Sequence, residues 1–196
     1  TETIINFVDF EKFKFITRTK RIVPEILIVS SIYPPKNTKN LIYALKPLKD
    51  SGIKFRVRWF GITDNIITPY IAECNKLISD LGLTDYIELK PKTKDINAEY
   101  EKADYLCLPS LFEGTPNVIC EAMSTGLPII CSDVCDNRMY VKKGENGFLF
   151  DPTKPEKIAK AIGEAIAAET KRNPISGVIT VAISAFIIRS GWKKML

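Results

Sequence analysis

Apolar residues along this chain follow two alternating rhythms. Short, nearly continuous apolar runs occur at 25–30 (EILIVS), 54–60 (KFRVRWF), 86–90 (YIELK), 104–108 (DYLCL), 128–132 (PIICS) and 147–150 (GFLF). Runs of this length predict strands, and strands apolar on both faces predict a parallel sheet covered by helices on either side. Between them the spacing changes to that of a helix. The segment 38–49 puts Leu41, Ile42, Leu45 and Leu48 on one face before Ser51-Gly52, with a kink expected at Pro47. The segment 67–81 does the same with Ile71, Cys74, Leu77, Ile78 and Leu81 before Gly82. A short helix is expected at 97–103, another at 116–124 ahead of Gly126, and a longer one at 155–168 carrying Ile158, Ala161, Ile162 and Ile166.

Strand–helix alternation at this pitch predicts an α/β fold, a Rossmann-like doubly wound parallel sheet of about six strands. Such sheets take ligands outside the carboxyl ends of their strands. The loops to watch are therefore 31–38, 61–66, 91–96 and 109–116. The ends of the chain break the rhythm. Residues 1–24 have no clear period and read as a linker and lead-in, so the domain proper is expected at 25–168. In the tail, 169–196, Ile175, Val178, Ile179, Ala182, Ile183, Phe186 and Ile187 fall on one helical face.

A length of 196 residues suits one domain with a terminal extension. The 28 basic and 23 acidic side chains leave a net charge of +5, scattered rather than clustered, and no basic-aromatic platform appears. Nucleic acid is not an expected partner. The absence of histidine excludes Ser-His-Asp and Cys-His catalysis, a histidine base and His-ligated metals. The five cysteines (Cys74, Cys107, Cys120, Cys131 and Cys135) are odd in number and sit mostly in apolar runs. They read as buried free thiols of a reducing compartment. Cys131 and Cys135 are four apart, but nothing completes a zinc site, so no metal is expected.

No secretory signal pattern occupies residues 1–15, and the first residue is Thr, as in a fragment of a longer chain. The longest uncharged run, 174–188, is fifteen residues, short of the roughly 20 that span a bilayer. A soluble cytoplasmic protein is the expectation.

The densest chemical signal is the segment 109–128, PSLFEGTPNVICEAMSTGLP. A strand delivers the chain to Ser110, a loop carries Glu113 and Gly114, and a helix then begins. Thr115 fits its N-cap and Pro116 its first turn. The N–H groups of Asn117 and Val118 would then face the strand ends, a site suited to an anionic or hydroxyl-rich ligand. Glu121, over a turn further in, could accept two hydrogen bonds from a vicinal diol. Glutamates eight apart also occur at Glu156 and Glu164 on what reads as a surface helix. Only the strand–loop–helix context separates the two pairs.

That context resembles the C-terminal, donor-binding domain of family 4 glycosyltransferases, enzymes of the two-Rossmann-domain fold. The resemblance runs from about residue 6 to 166. It rests on PSLFEGTPNVICEAMSTGLPII, on SDVCDN and GENGFLFDP, on the opening ILIVSSIYPPKNTKNLIYAL, and on WFG. The lead-in NFVDFEKFKF looks like the family's interdomain linker. Wording such as SSIYPPKN is similar to that of bacterial enzymes that build O-antigen, capsule or other surface polysaccharide.

The resemblance implies a role for each matching residue. Glu113 would meet hydroxyls of the donor sugar, and the loop from Gly114 through Thr115, Pro116, Asn117 and Val118 would offer N–H groups to sugar and diphosphate. Glu121 would hold the ribose hydroxyls. Lys36, in PPKN, would contact the diphosphate. A lysine and a helix N-terminus can stabilise a departing diphosphate without a metal, and no Asp-x-Asp occurs in the chain. No cofactor is implied; a UDP-, GDP- or ADP-linked sugar is the donor substrate. Asn37 reads as a helix cap, Lys92 as a surface lysine near where the family holds the base. Gly61 is expected to clear space for a ligand or to serve a turn, and Gly144 and Gly147 to serve turns.

Two features depart from the family. An arginine usually stands five residues before the lysine; here Ser30-Ser31 occurs, and Ser31 offers a hydrogen bond without charge. Lys39 is a candidate substitute. The tail is largely apolar and then basic where the family has a charged amphipathic helix. It reads as a helix covering the absent domain, or as a peripheral membrane contact with Trp192, Lys193 and Lys194 at the interface.

The resemblance thus implies the donor half of a retaining, metal-independent, hexosyltransferase-like glycosyltransferase, either free in the cytoplasm or at the inner face of the membrane. Its acceptor would be a glycan or a lipid-linked glycan. Its N-terminal acceptor domain is missing from this chain, which alone is expected to bind nucleotide but not to turn over. The alternative is a non-catalytic nucleotide-sugar-binding domain, for which Ser31 speaks. A dehydrogenase is disfavoured because no Gly-x-Gly-x-x-Gly follows any expected strand.

Overall fold

The structure, a computed structural model, describes residues 8–19, 21–64, 66–114 and 116–171. The tail features expected at 175–194 lie outside them. Six strands form one sheet among the described residues: β1 (Glu25–Val29), β2 (Arg56–Ile62), β3 (Ile87–Pro91), β4 (Tyr105–Leu108), β5 (Ile129–Ser132) and β6 (Gly147–Phe150). Their order is β3-β2-β1-β4-β5-β6, and every adjacent pair is parallel. The interior strands β4 and β5 are buried at every position, which is why their sequences are apolar without alternation.

The helices are α1 (Thr38–Asp50), α2 (Pro69–Asp80), α3 (Ile96–Lys102), α4 (Asn117–Ser124), α5 (Asn137–Tyr140) and α6 (Pro155–Lys171). Helices α1, α2 and α6 bury Leu41, Leu45, Ile71, Ile158 and Ile162 in one core. The other core holds Tyr100 of α3, Ile119 and Met123 of α4, and Tyr140 of α5. This is the doubly wound, Rossmann-like arrangement the alternation predicts. Helix α1 continues through Pro47, which lies on the exposed face. The one-turn α5 has no counterpart among the expected elements, because four residues are too few to show a period. It is held by Asn137, whose Nδ2 donates to the Ser132 carbonyl at 2.9 Å.

The lead-in is more than a linker. Val8 and Phe13 are buried in the second core, and Ile16 N–H donates to the Thr125 carbonyl at 3.1 Å. Arg18 donates to the carbonyls of Thr125 (2.6 Å), Tyr100 (3.1 Å) and Ala103 (3.1 Å). Those carbonyls close α3 and α4, where a cation is favoured by the helix dipoles. Burial lowers Arg18 to about 10, so it stays charged at neutral pH. All five cysteines are free, but only Cys74, Cys107 and Cys131 are buried; Cys120 is half-buried and Cys135 exposed. The expectation of buried thiols holds for those three and not for Cys120 or Cys135, the latter because it sits in the loop after β5, with φ at 46°.

The strand order reverses between β1 and β4. The chain leaves β1 towards β2 on one side and leaves β4 towards β5 on the other, so the two loops part over a crevice. That is where a sheet of this kind takes a ligand.

Candidate functional site

The loop after β1 carries Pro34–Lys36 as a single 3₁₀ turn, closed by Lys36 N–H donating to the Tyr33 carbonyl at 2.9 Å. Two prolines fix φ and leave that turn few alternatives. Asn37 then adopts the left-handed conformation (φ 64°), which asparagine tolerates better than most residues. Asn37 was expected to cap α1. It stands at the N-cap position, but its side chain makes no capping bond. Instead Nδ2 donates to the carbonyls of Pro109 (2.9 Å) and Pro152 (2.7 Å). Leu111 N–H donates to the Pro35 carbonyl at 2.9 Å. The loops after β1, β4 and β6 are thereby tied together, which neither motif in isolation reveals.

This stitching brings Lys36 to Glu113. Their Nζ and Oε1 atoms are 2.6 Å apart, with side chains only 17% and 12% exposed. A pair withdrawn from water to that degree persists because each charge lowers the cost of burying the other. Gly114, next along, is exposed, and a Cβ there would meet nothing within 4 Å.

Thr115 lies outside the described residues. Pro116, expected within the first turn, instead holds the N-cap position in extended conformation, and α4 begins at Asn117. The Pro116 carbonyl takes the Ile119 N–H at 3.0 Å. Pro116 is buried, Asn117 exposed and Val118 half-buried. Glu121 is half-buried one turn into α4, and its Oε2 accepts the Tyr100 hydroxyl at 2.8 Å. Burial first, and the Glu121 carboxylate second, push the Tyr100 phenol far above its ordinary range. It is a proton donor at any working pH. One oxygen of the expected diol acceptor is therefore already engaged from within the fold, a partner the sequence did not signal.

Ser31 is exposed. It lines a cavity of about 330 Å³ with Ser30, Phe60, Gly61, Lys92 and Ile96, off the ends of β1, β2 and β3. Lys36, Glu113 and Glu121 are not among its lining residues. Gly61 lines that cavity, and the packing of the sheet also demands a glycine there. It lies within β2, where a Cβ would stand 1.9 Å from the Ser30 carbonyl oxygen. That same oxygen accepts the Trp59 indole N–H at 2.9 Å, so β1 and β2 meet here with no space for a side chain. Gly147 is likewise blocked, by the Ile129 carbonyl at 2.2 Å, while Gly144 does serve a turn with φ at 82°.

Lys39, the candidate substitute for the missing arginine, is drawn to α2. Its Nζ lies 2.5 Å from Glu73 Oε2 and 5.2 Å from the Tyr70 ring centre. The hydrogen bond to Glu73 raises its pKa. Among the described residues no three His, Cys, Asp or Glu side chains cluster as metal ligands, and no helix is long and apolar enough to cross a membrane.

A sequence profile described as "Glycosyl transferases group 1" matches residues 9–176. The chain is 29% identical over 153 residues to a putative colanic acid biosynthesis glycosyltransferase, WcaL, of Escherichia coli, covering 74% of this chain and 35% of that protein. Among solved structures, the C-terminal domain of a glycosyl transferase group 1 family protein (LpcC) from Francisella tularensis superposes with a TM-score of 0.75 at 20% identity. The match covers 94% of this chain and 98% of that domain. HepE of Anabaena, solved in complex with UDP and glucose, gives a TM-score of 0.71 at 21% identity over 87% of this chain and 48% of its own. These structures share the fold. The chain spans 25% and 35% of the length of two curated relatives it matches.

Proposed function

The chain belongs to the glycosyl transferases group 1 family, and from that premise we propose that it is the donor-binding domain of a retaining, family 4 glycosyltransferase. Its reaction would serve surface polysaccharide, lipopolysaccharide or capsule biosynthesis, as the name of the colanic acid relative suggests. The observation that carries the reading is the Lys36–Glu113 pair, closed to 2.6 Å across the point where the strand order reverses. A cation for a diphosphate and a carboxylate for sugar hydroxyls stand side by side there.

In this reading Glu121 accepts the ribose hydroxyls, Lys36 and the start of α4 at Pro116, Asn117 and Val118 hold the diphosphate, and Glu113 meets the sugar. The bond from the anomeric carbon to the diphosphate oxygen breaks with its electron pair passing to the diphosphate. Lys36 and the α4 N–H groups stabilise that charge, so no metal is required. The acceptor hydroxyl forms the new bond on the face the nucleotide leaves, and its proton passes to the released diphosphate. A UDP-, GDP- or ADP-linked sugar is the donor; the HepE complex with UDP and glucose favours the class. An N-terminal acceptor domain would present the glycan or lipid-linked acceptor, at the cytoplasmic face of the membrane, and the tail would cover that domain or touch the lipid. The 196-residue chain by itself binds nucleotide and transfers little or no sugar.

Calorimetric titration of the chain with UDP, GDP and ADP, repeated on Glu121→Ala, tests this. Saturable binding of one nucleotide, weakened by the substitution, is expected. A folded sample that binds none of the three contradicts the reading. The exposed, uncharged Ser31 favours a second reading, a nucleotide-sugar-binding domain without catalysis. Sugar transfer by the full enzyme that survives both Lys36→Ala and Glu113→Ala would place the chemistry elsewhere.

A further inference from the structure

Glu121 does not stand alone on α4. Its Oε2 accepts the hydroxyl of Tyr100, which comes from α3. Tyr100 is wholly buried. Its ring packs edge-on against Phe13 at 5.9 Å between centroids, with 74° between the planes. Its backbone carbonyl receives Arg18 Nη2 at 3.1 Å. The phenol is thus held by α3, by the second core and by the lead-in, and it has one orientation to offer.

A neutral acceptor would satisfy a buried phenol. The acceptor here is a carboxylate at the rim of the core, and a hydrogen bond to a carboxylate is stronger and more directional than one to a neutral oxygen. Glutamate is among the side chains that lose most rotamer freedom on being ordered. A donor fixed in the core removes that loss before any ligand arrives, which raises affinity by preorganisation.

We propose that Tyr100 is a positioning residue for Glu121: its hydroxyl fixes the carboxylate so that the ribose hydroxyls of the donor nucleotide meet an ordered acceptor. The inference rests on the reading of Glu121 as the ribose-binding residue. It places a determinant of nucleotide affinity outside the 109–128 motif, on a helix whose sequence carries no such signal.

The test is calorimetry on the chain with Tyr100→Phe, Glu121→Ala and the double substitution, alongside thermal melts. The probes are UDP, GDP and ADP, and the 2′,3′-dideoxy counterpart of whichever binds most tightly. Tyr100→Phe removes one oxygen and leaves the ring packing. It should weaken the ribonucleotide about three- to tenfold, leave the dideoxy nucleotide unchanged, and add nothing in the Glu121→Ala background. Ribonucleotide affinity unchanged in Tyr100→Phe but lost in Glu121→Ala overturns the positioning role while sparing the reading beneath it. Equal weakening of both nucleotides, or a loss that adds to that of Glu121→Ala, shows a merely structural tyrosine and also overturns it. No effect of Glu121→Ala, or no binding of any of the three nucleotides, overturns the underlying reading and the inference with it.

Discussion

Lys36 and Glu113 lie 77 residues apart in sequence, yet Nζ and Oε1 meet at 2.6 Å with both side chains largely withdrawn from solvent. The pair is internal to the fold, so the cation proposed for a diphosphate already has a carboxylate partner. A diphosphate entering the site competes with, or shares with, the Glu113 carboxylate. Glu113→Gln keeps the shape and removes the charge. It should tighten binding of a nucleoside diphosphate by about 1–2 kcal/mol, roughly five- to thirtyfold in affinity, while abolishing transfer by the full enzyme. Lys36→Ala should weaken the same ligand at least as much. Calorimetry on the two variants decides it: a Glu113→Gln chain that binds no more tightly than the parent would mean that the pair does not restrain Lys36.

Asn37 supports that arrangement without belonging to it. Its amide holds the Pro109 and Pro152 carbonyls, in a buried position and from a left-handed backbone. Asn37→Ala strands both acceptors and puts a β-carbon residue with no local hydrogen bond at positive φ. The expected loss is about 2–3 kcal/mol, or a fall in Tm of roughly 4–12 °C for a domain of this size. Nucleotide affinity should fall too, because the loops that carry Lys36 and Glu113 lose one of their ties and keep only the Leu111 bond to the Pro35 carbonyl and the ion pair itself. A Tm within a degree of the parent would show that the bridge is dispensable.

Among the described residues the six strands were legible because their apolar runs are the direct imprint of burial on both faces, and α1, α2 and α6 because of their apolar stripes; α3 and α4 were legible from their breakers and flanking strands. Element bounds moved by a residue or two where a cap decides them, as at Pro116. The strand–loop–helix context is what singles out Glu113 and Glu121 in the sequence, and the structure has that context, with Glu113 in the loop after β4 and Glu121 on α4. What the sequence did not disclose were relationships between elements: Lys36 with Glu113, Tyr100 with Glu121, Asn37 with the carbonyls of two other loops. No local pattern marks which side chains two separate loops will bring together. Asparagine suits a left-handed residue as well as a cap, so the residue type at Asn37 does not by itself tell the two apart. The lead-in misled for a similar reason. Val8, Phe13 and Arg18 have no period, because they follow the surface of two helices rather than one of their own.

Two glycines at the same end of the sheet should behave oppositely. A methyl at Gly61 would stand 1.9 Å from the Ser30 carbonyl oxygen, which is backbone held in place by β1. Gly61→Ala must push β1 and β2 apart and strain the Trp59 bond to that carbonyl, with a loss of about 3 kcal/mol or more, or insoluble protein. A methyl at Gly114 meets nothing within 4 Å. Gly114→Ala should keep the parent's Tm to within a degree or two and express its effect only in ligand binding. Melting the two variants side by side checks the contrast, and a Gly61→Ala chain as stable as the parent would contradict the packing described.

The thiols set a limit to alkaline stability. Burial raises Cys74 and Cys120 from an ordinary 9.0 to about 11, Cys120 with the help of the Glu121 carboxylate, and raises the buried Cys107 and Cys131 further. A raised folded pKa means that the folded chain holds these protons more tightly than the unfolded chain does. Their contribution is complete below pH 9 and is lost as pH climbs towards 11. Tm should therefore hold from pH 7 to 9 and decline from 9 to 11. Cys135 is exposed, so one thiol of the five should react quickly with a thiol reagent at pH 8 in the native chain. Cys120, half-buried and protonated, should follow slowly with a rate that rises steeply with pH, and the other three only on unfolding. A Cys135→Ser chain that still shows one fast thiol, or a Tm that rises between pH 9 and 11, would contradict this account of which thiols the fold protects.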